Sequence, residues 1–152
     1  MANQQQTIID AINTRIETIT TDNGYVTNIG ENVLVDEAAD ISDEESPYTR
    51  VVDFEDECGI NTSVDGIFLY ELPIAIEAYI TGTTSPKTGR EAVFDILEAV
   101  GQDPRCSNSI AYIKPVSQSI EVEHAGKKAV KATVWFKIKY QTVAYARTQG
   151  EN

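Results

Sequence analysis

Histidine occurs once in this chain of 152 residues, cysteine twice and methionine once, and 12 basic residues face 24 acids. Each scarcity closes off a class of chemistry. The one imidazole is His124, and the two thiols, Cys58 and Cys106, stand at no metal-site spacing, so zinc centres and Cys/His or Ser/His/Asp nucleophile systems lack their parts. Two cysteines are too few for a disulfide scaffold and read as reduced thiols. A formal charge of −12 is the wrong sign for gripping phosphates, which disfavours sequence-specific nucleic-acid binding. No apolar run reaches the ~18 residues needed to span a bilayer. The opening Met1-Ala2-Asn3-Gln4-Gln5-Gln6 lacks the charged-then-apolar order of a signal peptide, so the expectation is a protein made and kept in a cytoplasm, without a membrane partner. Phosphate loops, dinucleotide fingerprints, nucleophile elbows and HExxH are missing too, and we expect no enzyme, catalytic residue, metal or cofactor.

What is present is ordinary for a folded protein: 41% hydrophobic and 24% charged residues. The length suits one domain, residues 1–152, with 146–152 as a flexible tail. The charge is unevenly spread. Eleven of the 24 acids lie between Glu31 and Glu57, with Arg50 the only base among them, while seven of the 12 bases fall between Lys114 and Arg147. Asp36, Glu37, Asp40, Asp43, Glu44 and Glu45 lie in a stretch with little hydrophobic periodicity that ends at Pro47, which reads as an acidic surface loop over 36–46. Two readings stand: a solvated loop beside a lysine-bearing sheet face, or a subunit that meets its neighbours.

Ile8, Ile12, Ile16 and Ile19 form one apolar stripe on an N-terminal helix, with Thr7 and Asp10 as a start signal and Asn23-Gly24 as a stop. A second helix spans 88–100: Thr88 and Glu91 have capping-box spacing, and Val93, Ile96, Leu97 and Val100 make its stripe. Four segments alternate as strands: 48–55, 66–81, one from Ile110 to about Glu123 broken at Lys114-Pro115, and one from about Val130 to Tyr140. Pro115 has no N–H for a ladder and belongs at a bulge or an edge. The expected fold is α+β, an antiparallel four-stranded sheet with two helices on one face, in the order α-β-β-α-β-β with a long C-terminal hairpin.

Parity fixes how that hairpin closes. Even positions are apolar on both strands, so the loop must be odd; His124-Ala125-Gly126 gives three residues, pairing Glu123 with Lys127 and Ile120 with Val130. The last strand, at ~3.3 Å per residue, outruns its helices, which predicts that part of its apolar face lies bare and needs a neighbour. Trp135 falls on the opposite face among Lys131, Thr133, Lys137 and Lys139, where it either meets a partner or takes a cation–π contact from a flanking lysine. The expected subunit interface is Trp135, Lys131, Lys137, Lys139, Glu121, Glu123 and Lys127. The enzyme alternative is a metal-dependent hydrolase built on Asp53, Glu55, Glu121 and Glu123. The structural reading of Asp53 and Glu55 is a strand face whose repulsion is relieved by water or by a lysine of the hairpin.

The amphipathic N-terminal helix, the acidic loop, Tyr48-Thr49-Arg50-Val51-Val52-Asp53, the strand ending Leu72-Pro73-Ile74-Ala75-Ile76-Glu77-Ala78-Tyr79, the helix Arg90-Glu91-Ala92-Val93-Phe94-Asp95-Ile96-Leu97 and the closing hairpin together resemble the tail-terminator (tail-completion) proteins of long-tailed bacteriophages. The resemblance covers nearly the whole chain and rests on element order. It implies a virion protein assembled in the host cytoplasm as a homo-oligomeric ring, commonly a hexamer. Such a ring caps the tail tube, ends polymerisation and joins the neck or connector protein. The genome DNA would pass through without specific binding, its backbone repelled if the acidic loop lines the channel. A head-completion or neck subunit is the neighbouring reading, separated by position in the virion. The resemblance carries over no catalytic residue.

Overall fold

A computed structural model describes residues 4–34, 46–54, 57–62, 66–105, 112–123 and 128–143. Among these residues two helices, α1 (Gln4–Ile16) and α2 (Pro86–Gly101), accompany six strands: β1 (Val33–Leu34), β2 (Tyr48–Asp53), β3 (Gly59–Thr62), β4 (Ile67–Thr81), β5 (Tyr112–Glu123) and β6 (Ala129–Val143). The strands form one mixed sheet in the order β1-β2-β4-β6-β5, with β3 also paired to β4. The α+β class is as expected, but the four-stranded, all-antiparallel sheet is not. β1 runs parallel to β2, and β3 continues along the edge of β4 that β2 leaves. Both extra strands are too short to show a period, which is why alternation missed them.

Pro73 lies inside β4, a position that usually argues against a central strand. Its carbonyl accepts Phe54 N–H at 3.0 Å, so its main-chain groups face the gap where β2 ends and β3 has not begun. No ladder bond is lost there. Pro115 sits on edge strand β5, immediately before a bulge between Pro115 and Ser117, as expected of a residue without a donor.

The even positions of β4 and β6 face the helices and make the core. Leu72, Ile74, Ile76, Ala78, Val130, Val134, Phe136 and Ile138 are buried with Ile8, Ile12, Ile16, Ile96 and Val93. Burial of such side chains contributes about 1.5–3 kcal/mol each. Ile19, although beyond the end of α1, is buried in the same cluster with Ile29. While Val116 on β5 stays 60% exposed, the bare apolar face expected of the hairpin is corrected on β6, where every even position from Val130 to Tyr140 is at most 5% exposed. The helices do not cover it alone, since the 17–31 segment brings in Ile29, and Tyr140 stacks on Tyr70 (centroids 4.9 Å apart) under a hydrogen bond to Gln5.

Register brings a second correction. Ile120 pairs with Ala132 and Glu123 with Ala129, not with Val130 and Lys127. Parity held, but it cannot separate a loop of three residues from one of five. His124, Lys127 and the expected turn lie outside the described residues, as do Cys106, Glu55, the 36–45 stretch and 146–152. Helix starts shift as well. α1 begins at Gln4, and Gly24 closes a 3-10 turn (Thr21–Asn23) rather than the helix. α2 begins at Pro86 behind Ser85, because proline at the first position needs no N–H partner, so Thr88 sits within the helix and caps nothing.

α2 reaches the hairpin closely through Gly89. A Cβ there would stand 2.6 Å from Ile120 Cγ2 and 3.0 Å from Val130 Cγ1. Gly89→Ala gains up to about 1 kcal/mol of helix propensity and meets about 1–3 kcal/mol of overpacking. We expect a net loss of about 1 kcal/mol, read as a lower urea midpoint at unchanged slope.

Candidate functional site

The odd positions of the same strands build the other face of the sheet, which no helix among the described residues covers. β4 contributes Glu71, Pro73, Ala75, Glu77 and Tyr79, and β6 contributes Lys131, Thr133, Trp135, Lys137 and Lys139. On β5 the bulge changes the parity. Tyr112 and Lys114 pair with Lys139 and Lys137, whereas beyond it Ser117, Ser119, Glu121 and Glu123 pair with Trp135, Thr133, Lys131 and Ala129. Six of the expected interface residues thus share one face: Trp135, Lys131, Lys137, Lys139, Glu121 and Glu123. Lys127 lies outside the described residues.

Opposite charges on this face meet across strands. At one end Glu77 takes Arg50 Nε at 3.0 Å and Lys131 Nζ at 3.5 Å, joining β2, β4 and β6. Tyr79 stacks on Tyr48 with centroids 5.3 Å apart and donates its hydroxyl to Glu123 at 3.3 Å. Loss of hydration raises the Tyr79 phenol, and the Glu123 charge and hydrogen bond add to the rise. At the other end Lys137 Nζ bonds Glu71 at 2.9 Å. That hydrogen bond holds Glu71 below its ordinary value against the opposing loss of hydration, with the charges of Lys137 and Lys139 adding to the lowering. The pair is exposed, and such pairs stabilise folded proteins little.

The two ends differ in balance. Around Glu77, three acids (Glu77, Glu121, Glu123) stand with two bases (Arg50, Lys131). Around Glu71, three lysines, Lys114, Lys137 and Lys139, stand with one acid. The lysine end is concave: a groove of about 590 Å³ is lined by Glu71, Tyr112, Lys114, Pro115, Val116, Lys137 and Lys139. Val116, the bulged residue, is 60% exposed beside it, and Arg105 lies over the Tyr112 ring at 5.4 Å. Trp135 is half-buried next to the groove, opposite Ser117 and Ala75.

The carboxylates of the hydrolase alternative are not brought together. Asp53 is on β2 and Glu121 and Glu123 are on β5, with β4 and β6 between them, a sideways separation of about 14 Å at ~4.8 Å per strand, and Asp53 lies a further five residues from Glu121 along the strands. Lys131 and Lys137 of the hairpin reach the glutamates of β4, their neighbour in the sheet. Among the described residues no group of three His, Cys, Asp or Glu could hold a metal ion. Sequence reasoning missed Glu71, Glu77, Lys114 and Tyr112. The glutamates carried a usable signal, being odd positions of β4, but Lys114 and Tyr112 have even numbers and reach this face only through the bulge. Compared with protein-family models and with curated proteins, the chain matches none.

Proposed function

We propose that the protein is a structural subunit of the tail-terminator kind, assembling into a homo-oligomeric ring that caps a phage tail tube, ends its polymerisation and offers a joining surface to the neck. The observation that supports this reading is the division of the sheet. One face is covered by the helices together with the 17–31 segment, and the other, which no described helix covers, is broad and charged, with the sole tryptophan half-buried at its middle. Tryptophan and paired charges on an open face suit recognition of another protein surface. The apolar side of β6 needs no neighbour to shield it, so the reading rests on the other face of the sheet and on the unequal charge of its two ends.

The test is assembly. Sedimentation and negative-stain microscopy should show annular particles, from purified protein or from protein added to tail tubes. The protein should also restore head joining in a lysate lacking its own terminator. A monomer at all concentrations, with no such activity, overturns the reading.

A further inference from the structure

The lysine groove carries an inference that rests on the ring reading and names the contact that would build the ring. We infer that the groove of Lys114, Lys137 and Lys139 receives the acidic segment 36–45 of a second copy of this chain. Three lysines and one glutamate line the groove, in a chain whose net charge is −12. The segment supplies the complement, with six carboxylates and no base in ten residues.

Reach excludes the segment's own copy from lying in the groove. Leu34, from which the segment leaves, pairs with Arg50 and so stands level with Glu77, while Ser46 bonds the Thr81 N–H. The groove centres on the levels of Pro73 and Glu71, across β4 and β6. At ~3.3 Å per residue and ~4.8 Å per strand, the path from Leu34 to that centre and back to Ser46 is about 55 Å. Twelve peptide steps between the two anchors span at most about 43 Å. The occupant therefore comes from another molecule.

The geometry also says how it lies. Lys114, Pro115 and the Val116 bulge blunt the outer edge of β5 at this end, which disfavours an added strand and leaves the face as the docking surface. Each copy gives from the β1–β2 side and receives on the β5–β6 side, so the contact is heterologous and generates a ring when its rotation closes. A segment held in this way serves subunit contact rather than the channel wall.

The experiment uses the full chain and a labelled synthetic peptide of residues 34–47. Binding is followed by anisotropy and by fluorescence of Trp135, the only tryptophan. We expect saturable binding that weakens at least tenfold between 0.05 and 0.5 M salt, and at least tenfold in K114Q/K139Q. Both lysines are exposed, so this variant should keep its circular dichroism and melting temperature. Assembly should fall in K114Q/K139Q and equally in D40N/D43N/E44Q/E45Q, and a mixture of the two variants should stop at heterodimers, since one complete contact remains. Equal peptide binding by wild type and K114Q/K139Q overturns the inference, as does wild-type assembly by either variant. Annular particles unaffected by both variants would leave the ring reading standing without this contact. Groove-dependent peptide binding with no rings, alone or on added tail tubes, and no restored head joining would leave the contact and remove the ring reading.

Discussion

Gly30→Ala should lower stability by about 3–4 kcal/mol, a large share of the ~5–15 kcal/mol a domain of this size holds. Gly30 lies in the 3-10 turn Ile29–Glu31, pressed against the chain that leaves α1. A Cβ would stand 2.3 Å from Ile16 O and 2.8 Å from both Ile19 N and Ile19 O. These are main-chain atoms, and one of them, Ile19 O, accepts the Gly30 N–H at 2.9 Å. The corner cannot open without loss on its other side, where Thr49 donates its hydroxyl to Ile29 O and its N–H to Asn32 O. Contrast with Gly89 decides the magnitude. There the crowding atoms are side-chain methyls, one on half-buried Ile120, which can turn away. Urea unfolding of the two variants should differ by at least 2 kcal/mol, and a Gly30→Ala loss under 1 kcal/mol would show that the corner is looser than its geometry requires.

That corner also marks the boundary of what the sequence discloses. Stripes and alternations long enough to repeat were legible: Ile8, Ile12 and Ile16 on α1, Val93, Ile96 and Val100 on α2, and the even positions of β4 and β6. Each is a period held by three or more residues, which only one element type satisfies. Gly30 repeats nothing. Its role comes from two segments meeting in space, as does that of Ile19, which extends the α1 stripe without belonging to the helix. β3 exists because β4 offers an edge longer than β2 can fill, and β1 because it pairs along the other edge of β2, facts about β4 and β2 that no residue of Gly59–Thr62 or Val33–Leu34 records.

The candidate surface was legible in the same uneven way. Parity placed Trp135, Lys131, Lys137 and Lys139 on one face, and no described helix covers that face. Their partners were not foreseen, because strand order is a non-local property and the lysines turn to Glu71 and Glu77 of β4. The inference of a bare hairpin compared a strand length with two helix lengths and left out the 17–31 segment, which packs Ile19 and Ile29 into the helix layer. Proline was the one local signal that spoke for distant geometry. Pro115 announced the bulge, and through the bulge Tyr112 and Lys114 join the lysine end. The unequal charge along the chain is thus carried into space, with the acid-rich segment leaving one edge and the lysine groove near the other.

Asp95→Ala should cost about 3–4 kcal/mol, because this carboxylate holds the 17–31 segment onto α2. Asp95 is 2% exposed on the buried side of the helix. Its oxygens accept the Val26 N–H at 3.3 Å, the Thr27 N–H at 2.8 Å and the Thr27 hydroxyl at 2.6 Å. Hydrogen bonds to an ionised acceptor contribute about 1.5–3 kcal/mol each, and donors left buried without an acceptor lose about 1–3 kcal/mol more, so truncation exceeds the loss of one ordinary bond. Asp95→Asn keeps one oxygen but turns an amide N–H₂ toward these donors, and should cost about 2 kcal/mol. Thr27→Val removes only the hydroxyl, and the double variant with Asp95→Ala should show a coupling of about 1 kcal/mol. Amide exchange at Val26 and Thr27 should quicken in Asp95→Ala relative to the β4 and β6 core, because the segment opens before the sheet does. An Asp95→Ala loss under 1 kcal/mol, or exchange that quickens uniformly, would mean that Ile29 and the Gly30 corner hold the segment without this carboxylate. If the expected result is found, α2 fixes where Leu34 leaves the sheet and so aims the acidic segment that the neighbouring groove is proposed to receive.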